Sequence, residues 1–229
     1  MMDSISGAVL GVLLGMRHAG EPDHLAAIGT LVAEERSARG GLRLGAFWGL
    51  GHTIALFAVA AVLAAFQATM PVRVADLFEL GVAFMLLALG ARAVARAARE
   101  GRSGPSTVHA HHGGQHEHGG PSQHVHLGRW TLSWRPLLVG IVHGLAGSGA
   151  LTALVLAGLP TTSARLLYVA FFGAGSVVGM SLLSGLAGVP LARISRTPGA
   201  ARVLAATTGI VSMAFAVAWG WPLVDRLAR

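Results

Sequence analysis

The sequence predicts an all-α polytopic membrane protein, and three observations carry that expectation. Of 229 residues, 53% are hydrophobic and only 12% are charged, and the mean hydropathy is +0.63. Apolar runs approaching the ~20 residues that a hydrocarbon core requires recur along the whole chain. All seventeen basic residues are arginine, and they gather between those runs. A pI near 11.6 would point to nucleic acid in a soluble domain, but arginines in short loops between spans are topology signals, so no nucleic-acid partner is expected. The absence of cysteine excludes a disulfide framework, a thiol relay and a thiolate metal site. The N-terminal run has no Lys or Arg ahead of it and resumes beyond a polar interruption, so no cleaved leader is expected.

Six spans follow in order: roughly Ile5–Ala33, Leu44–Phe66, Val74–Val94, Leu137–Leu159, Leu166–Leu191 and Val203–Val224. Arg36, Arg39 and Arg43 lie in the first loop and Arg193, Arg196 and Arg202 in the fifth, while the stretch from Arg96 to Arg135 is the most basic. The second and fourth loops carry only Arg73 and Arg165. The positive-inside rule then places the odd loops in the cytoplasm and both termini in the periplasm of a bacterial inner membrane; Arg226 and Arg229 are outnumbered.

The first span contains the most informative stretch. Apolar sequence from Ser4 to Met16 gives way to Arg17-His18-Ala19-Gly20-Glu21-Pro22-Asp23-His24 and resumes at Leu25. Ionisable groups inside a bilayer cost roughly 2.5–3.5 kcal/mol each on insertion scales and are retained where they serve function. On an unbroken helix Asp23 would lie roughly 140° and His24 roughly 240° around from His18, too far apart to close on one ion. Pro22 lacks an N–H and clashes with the carbonyl four residues back, and Gly20 adds backbone freedom. A break at Gly20–Pro22 is therefore expected, as in the discontinuous helices of transporters, which lets His18, Asp23 and His24 converge. Glu21 is a secondary candidate ligand.

The halves echo one another. Gly15-Met16-Arg17-His18 parallels Gly140-Ile141-Val142-His143, and Phe47-Trp48-Gly49-Leu50-Gly51-His52 parallels Phe171-Phe172-Gly173-Ala174-Gly175-Ser176. Leu80-Gly81-Val82 is matched more weakly by Thr208-Gly209-Ile210, all at offsets of 124 to 128 residues. Three spans per half force opposite orientations, the inverted-repeat plan of secondary transporters. The expected organisation is a first three-helix repeat over 1–100, a His-rich cytoplasmic loop over 101–130, and a second repeat over 131–229.

His52 lies near the middle of the second span, at roughly the depth of His18, and His143 in the first half of the fourth; both join the candidate metal set. Asp76 and Glu79, at the outer end of the third span, read either as an entry funnel or as a wetted helix start. Seven of the eleven histidines (His109, His111, His112, His116, His118, His124 and His126) are interleaved with Gly, Ser, Pro and Gln between the third and fourth spans. Such a segment has nothing to bury, so it is expected to be disordered and to bind metal loosely through its imidazoles.

Arg17-His18-Ala19-x-x-x-Asp23-His24 resembles the H-x4-D-H signature of the nickel/cobalt transporter (NiCoT) family. Phe47-Trp48-Gly49-Leu50-Gly51-His52 is similar to that family's second-helix motif, Gly-His-Ser, with Thr53 in place of Ser. The Glu21-Pro22-Asp23-His24 form and the run from His143 to Ser148 look most like its short six-helix branch, the urease-accessory nickel permease type. The resemblance implies that His18, Asp23, His24 and His52 take part in Ni²⁺ or Co²⁺ recognition. It also implies a cytoplasmic nickel chaperone or urease-type maturation proteins as partners.

The functional expectation is a non-enzymatic permease without a cofactor, whose ligand is the transported Ni²⁺ or Co²⁺. A sulfur-free set of imidazoles and carboxylates suits Ni²⁺, Co²⁺ or Zn²⁺ better than Cu(I). Inward movement of a dication gains about 4.6 kcal/mol per 100 mV of membrane potential, so import is the expected direction. Efflux of the same ions by a related architecture is the alternative. A more distant one is an intramembrane metal-dependent hydrolase with Glu21 as general base, against which the H-E-x-x-H spacing is missing.

Overall fold

In the computed structural model, the structure describes residues 4–33, 35, 37–66, 68–100, 125–127, 130–132, 134–146, 161–194 and 197–229. Among these, seven helices appear: α1 (Ser4–His18), α2 (Pro22–Val32), α3 (Ala38–Ala65), α4 (Val72–Glu100), α5 (Trp134–Ala146), α6 (Thr162–Ile194) and α7 (Pro198–Ala228). Four of them, α3, α4, α6 and α7, are long and apolar enough to cross a membrane, which makes this a multi-pass membrane protein. Of the expected fourth span only α5 falls among the described residues; the stretch from 147 to 160 lies outside them. The loop histidines His109, His111, His112, His116, His118 and His124 also lie outside. Next to them, β1 (Val125–Leu127, containing His126) pairs antiparallel with β2 (Trp130–Leu132). The Gly- and His-rich composition of the loop does not anticipate this hairpin; its strands have the aromatic and β-branched residues that favour pairing.

The expected break in the first span is present. α1 ends at His18, and Glu21 is extended (φ −66°, ψ 152°) ahead of Pro22, which opens α2. Pro is well placed there because the first helical N–H needs no partner within the helix. The Gly20 and Glu21 N–H groups close short turns onto the Arg17 and His18 carbonyls at 2.9 and 3.0 Å.

Side-chain sizes are arranged as lipid requires. Leu13, Phe84, Leu186 and Val211 are more than half exposed, whereas the interior uses Ala, Gly and Ser, which let helix backbones approach. Trp221 and Phe66 stand out at helix ends, the positions at which aromatic rings meet the membrane interface. α3 and α6 form the central antiparallel pair. α1 packs on α6, α5 on α3, and α4 on α7, with α2 lodged against α7, α6 and α4.

The glycine contacts are reciprocal between the halves. A Cβ on Gly15 would strike the Phe172 carbonyl and lie 2.8 Å from the Ser176 nitrogen. At the matching position, a Cβ on Gly140 would strike the Trp48 carbonyl and lie 2.9 Å from the His52 nitrogen. Gly51 backs onto Leu137 as Gly175 backs onto Val12. Hydrogen bonds between helices add to these contacts: Thr53 Oγ1 donates to the Gly173 carbonyl at 3.0 Å, and Ser212 Oγ to the Leu86 carbonyl at 3.1 Å.

Candidate metal site

The α1–α2 break sets His18 at the last residue of one helix and Asp23 and His24 in the first turn of the next. The positive end of α2 favours a carboxylate at Asp23. The other two histidines arrive by close packing of α3 and α5. Besides the Gly140 contact, a Cβ on Gly144 would strike the His52 carbonyl, so the two backbones nearly touch where His52 and His143 sit.

All five expected residues meet. Asp23 joins two imidazoles: His143 Nε2 lies 2.8 Å from Oδ2 and His24 Nδ1 lies 3.1 Å from Oδ1. His24 stacks on His143 with ring centroids 4.2 Å apart, and lies 4.5 Å from His18 and 5.4 Å from His52. His18 and His52 are 5.1 Å apart. His24, His52 and His143 are fully buried, and His18 nearly so. The secondary candidate Glu21 stands at the edge, 43% exposed, with Oε1 3.0 Å from His18 Nδ1.

Two overlapping trios have metal-site spacing. One nitrogen each from His18, His24 and His52 lie within 4.8 Å of one another, and so do ligand atoms of Asp23, His24 and His143. Two ligands about 2.1 Å from a common ion are at most about 4.2 Å apart, so either trio closes on an ion with shifts below about 1 Å. The hydrogen bonds also set the tautomers. When Nδ1–H of His24 donates to Asp23, the lone pair is left on Nε2, the carboxylate–histidine pairing that orients a metal ligand.

The remaining ring nitrogens are left unsatisfied. Nε2 of His18 and His24, both nitrogens of His52 and Nδ1 of His143 are buried without a hydrogen-bond partner among the described residues. An unsatisfied buried polar group costs about 1–3 kcal/mol, and several in contact make a deficit that a divalent cation would remove.

The sequence alone gave no role to Trp48. Fully buried, it lies 5.4 Å from the His24 ring and 5.7 Å from the His143 ring, and its Nε1 has no hydrogen-bond partner among the described residues. Its only sequence signal was its place in the Phe47–His52 repeat. Ser176, which matches His52 in the other half, bonds back to the Phe172 carbonyl at 3.0 Å and belongs to neither trio. Asp76 forms an ion pair with Arg226 at 3.1 Å, tying the start of α4 to the end of α7, whereas Glu79 has no ion pair or hydrogen bond among the described residues.

The chain is similar to the urease accessory protein UreH of Bacillus sp. (strain TB-90), being 28% identical over 222 residues, which cover 94% of this chain and 91% of that protein. No family model matches the chain, and no solved structure matches it.

Proposed function

We propose that this protein is a secondary transporter that carries Ni²⁺, and Co²⁺ as a second substrate, across the bacterial inner membrane in the inward direction. The observation that carries the reading is the group of four buried, touching histidines with orphaned nitrogens around one carboxylate. A set dominated by imidazole, without sulfur, suits Ni²⁺ and its neighbours better than Mg²⁺, which prefers oxygen ligands, or Cu(I), which prefers sulfur. In this reading His18, His24 and His52 hold the ion, while Asp23 orients His24 and His143 and balances charge. Trp48 walls the site. Similarity to a urease accessory protein fits, since nickel is the metal that urease uses. It also supports cytoplasmic nickel chaperones or urease-type maturation proteins as recipients of the ion.

The reciprocal glycine contacts support two inverted three-helix repeats, which would rock about the site. The periplasmic placement of both termini rests on arginine asymmetry; the pairing of Arg226 with Asp76 locally neutralises one arginine that opposes it. Reporter fusions at Arg229 and near Gly114 are expected to report opposite sides of the membrane. A cytoplasmic C-terminus would remove the equal three-plus-three inversion.

The test of transport is flux of radiolabelled nickel through purified protein in vesicles, with an inside-negative potential. The expected result is uptake driven by the potential alone; outward flux requiring a counter-ion gradient would favour efflux. The same assay tests the loop. Flexible ligands lose ordering entropy on binding and hold metal weakly, so deletion of His109 to His126 is expected to leave transport and metal preference intact. Loss of transport in a folded deletion variant would place the loop in the pathway.

A further inference from the structure

We infer that the ion travels along the seam between α2, α4 and α5, and that the structure is open on the Glu79 side and closed on the other. This rests on the transport reading above and adds the route and its gate.

Two cavities lie on that seam. The first, about 130 Å³, is lined by Glu21, Asp23, Glu79, Leu86, Ala146 and Trp219. Asp23 is the carboxylate that holds His24 and His143, so this cavity reaches the edge of the histidine cluster. It lies in the half of the molecule where α4 starts and α7 ends. Among the described residues, three carboxylates and no basic side chain line it, and a cleft lined by one sign of charge concentrates counter-ions. Arg226 pairs with Asp76 at 3.1 Å and also lies near Glu79, but Glu79 makes no hydrogen bond or ion pair with it, which leaves the Glu79 carboxylate oxygens for an arriving cation.

The second cavity, about 360 Å³, is lined by Thr30, Glu35, Leu89, Arg135 and Val139, among others. It lies toward the opposite end, where α5 starts and α4 ends. The same three helices wall both cavities: Asp23 and Thr30 on α2, Leu86 and Leu89 on α4, Ala146 and Val139 on α5. Between Asp23 and Thr30 lie two turns of helix, about 10 Å. Ala27 and Ile28 fill that layer beside Trp48, all three buried in one apolar cluster. Trp48 also touches His24 and His143, so the closed layer adjoins the ligands and is placed to respond to them.

Because the chain has no cysteine, single cysteines report directly on this route. Ala83→Cys lines the first cavity, Val139→Cys the second, and Ala27→Cys the closed layer; Arg229→Cys marks the side of the C-terminus. Oriented vesicles are treated with a membrane-impermeant maleimide. Ala83→Cys is expected to react from the same face as Arg229→Cys, and Val139→Cys from the opposite face. Both should react at least about tenfold faster than Ala27→Cys, since the reactive thiolate forms in water and not among apolar side chains. Glu79→Cys and Leu138→Cys repeat the test should either first variant fail to fold. Labelling of both cavities from one face, or of neither in folded protein, would overturn the seam. The readout needs no metal, so opposite-face labelling in a protein that binds no nickel would support the route while removing the nickel reading.

Discussion

Asp23→Asn is expected to weaken nickel binding about 10–100-fold, the usual effect of losing the carboxylate that orients a metal-ligating histidine. His18→Ala, His24→Ala and His52→Ala, which remove a ligand of the first trio outright, are expected to abolish binding and uptake. Asp23 accepts from His24 at 3.1 Å and from His143 at 2.8 Å, so one carboxylate sets two rings. Ser176→Ala is the matched control: it occupies the position of His52 in the other half and bonds only within its own helix. Titration of purified protein with nickel, alongside circular dichroism for helix content, checks the set. Wild-type affinity in a folded Asp23→Asn or His18→Ala protein would remove the site assignment. Binding should also weaken in acid, because the ligand is neutral imidazole and protons compete with metal for its lone pair.

The second large effect is on packing. Gly15→Ala and Gly140→Ala are expected to destabilise the protein by similar amounts, at least about 1–3 kcal/mol, the range for an overpacked core. In each case the new methyl meets a carbonyl of the facing helix, Phe172 or Trp48, and a backbone cannot move aside as a side chain can. Helix propensity favours Ala over Gly by about 1 kcal/mol, so a net loss would show that the interhelical contact dominates. Gly81→Ala is the control, since nothing lies within 4 Å of its would-be Cβ; it should be neutral or slightly stabilising. Thermal unfolding in detergent reads the difference, at about 2–4 °C per kcal/mol for a chain of this size. Gly140→Ala should also weaken nickel binding, because it separates the helices that carry His52 and His143. A Gly140→Ala protein as stable as Gly81→Ala would show that the α3–α5 contact is looser than described.

Much of this molecule was legible in the residues themselves, where the governing physics is local. Apolar runs and the arginines between them mark the long helices because lipid tolerates few other sequences. Gly20 and Pro22 mark the break because proline cannot continue a helix from His18, and the break is found where they stand. His18, Asp23 and His24 were candidates for one site because three ionisable groups in an apolar segment need a reason to be there.

Tertiary structure decided what depends on residues far apart in the chain. Asp23 and His143 are 120 positions apart, and no local periodicity relates them; His143 reaches the site, beside His52, because glycines on α3 and α5 let those two backbones touch. The same packing brought Trp48 onto the histidines. Asp76 and Glu79 looked alike in the sequence, one helical turn apart, until Arg226 arrived from α7 to pair with Asp76. Chain composition thus determined which groups enter the membrane and where the helix breaks. Helix-to-helix contact decided which of those groups share a site, because a span's composition records its compatibility with lipid and not its neighbour.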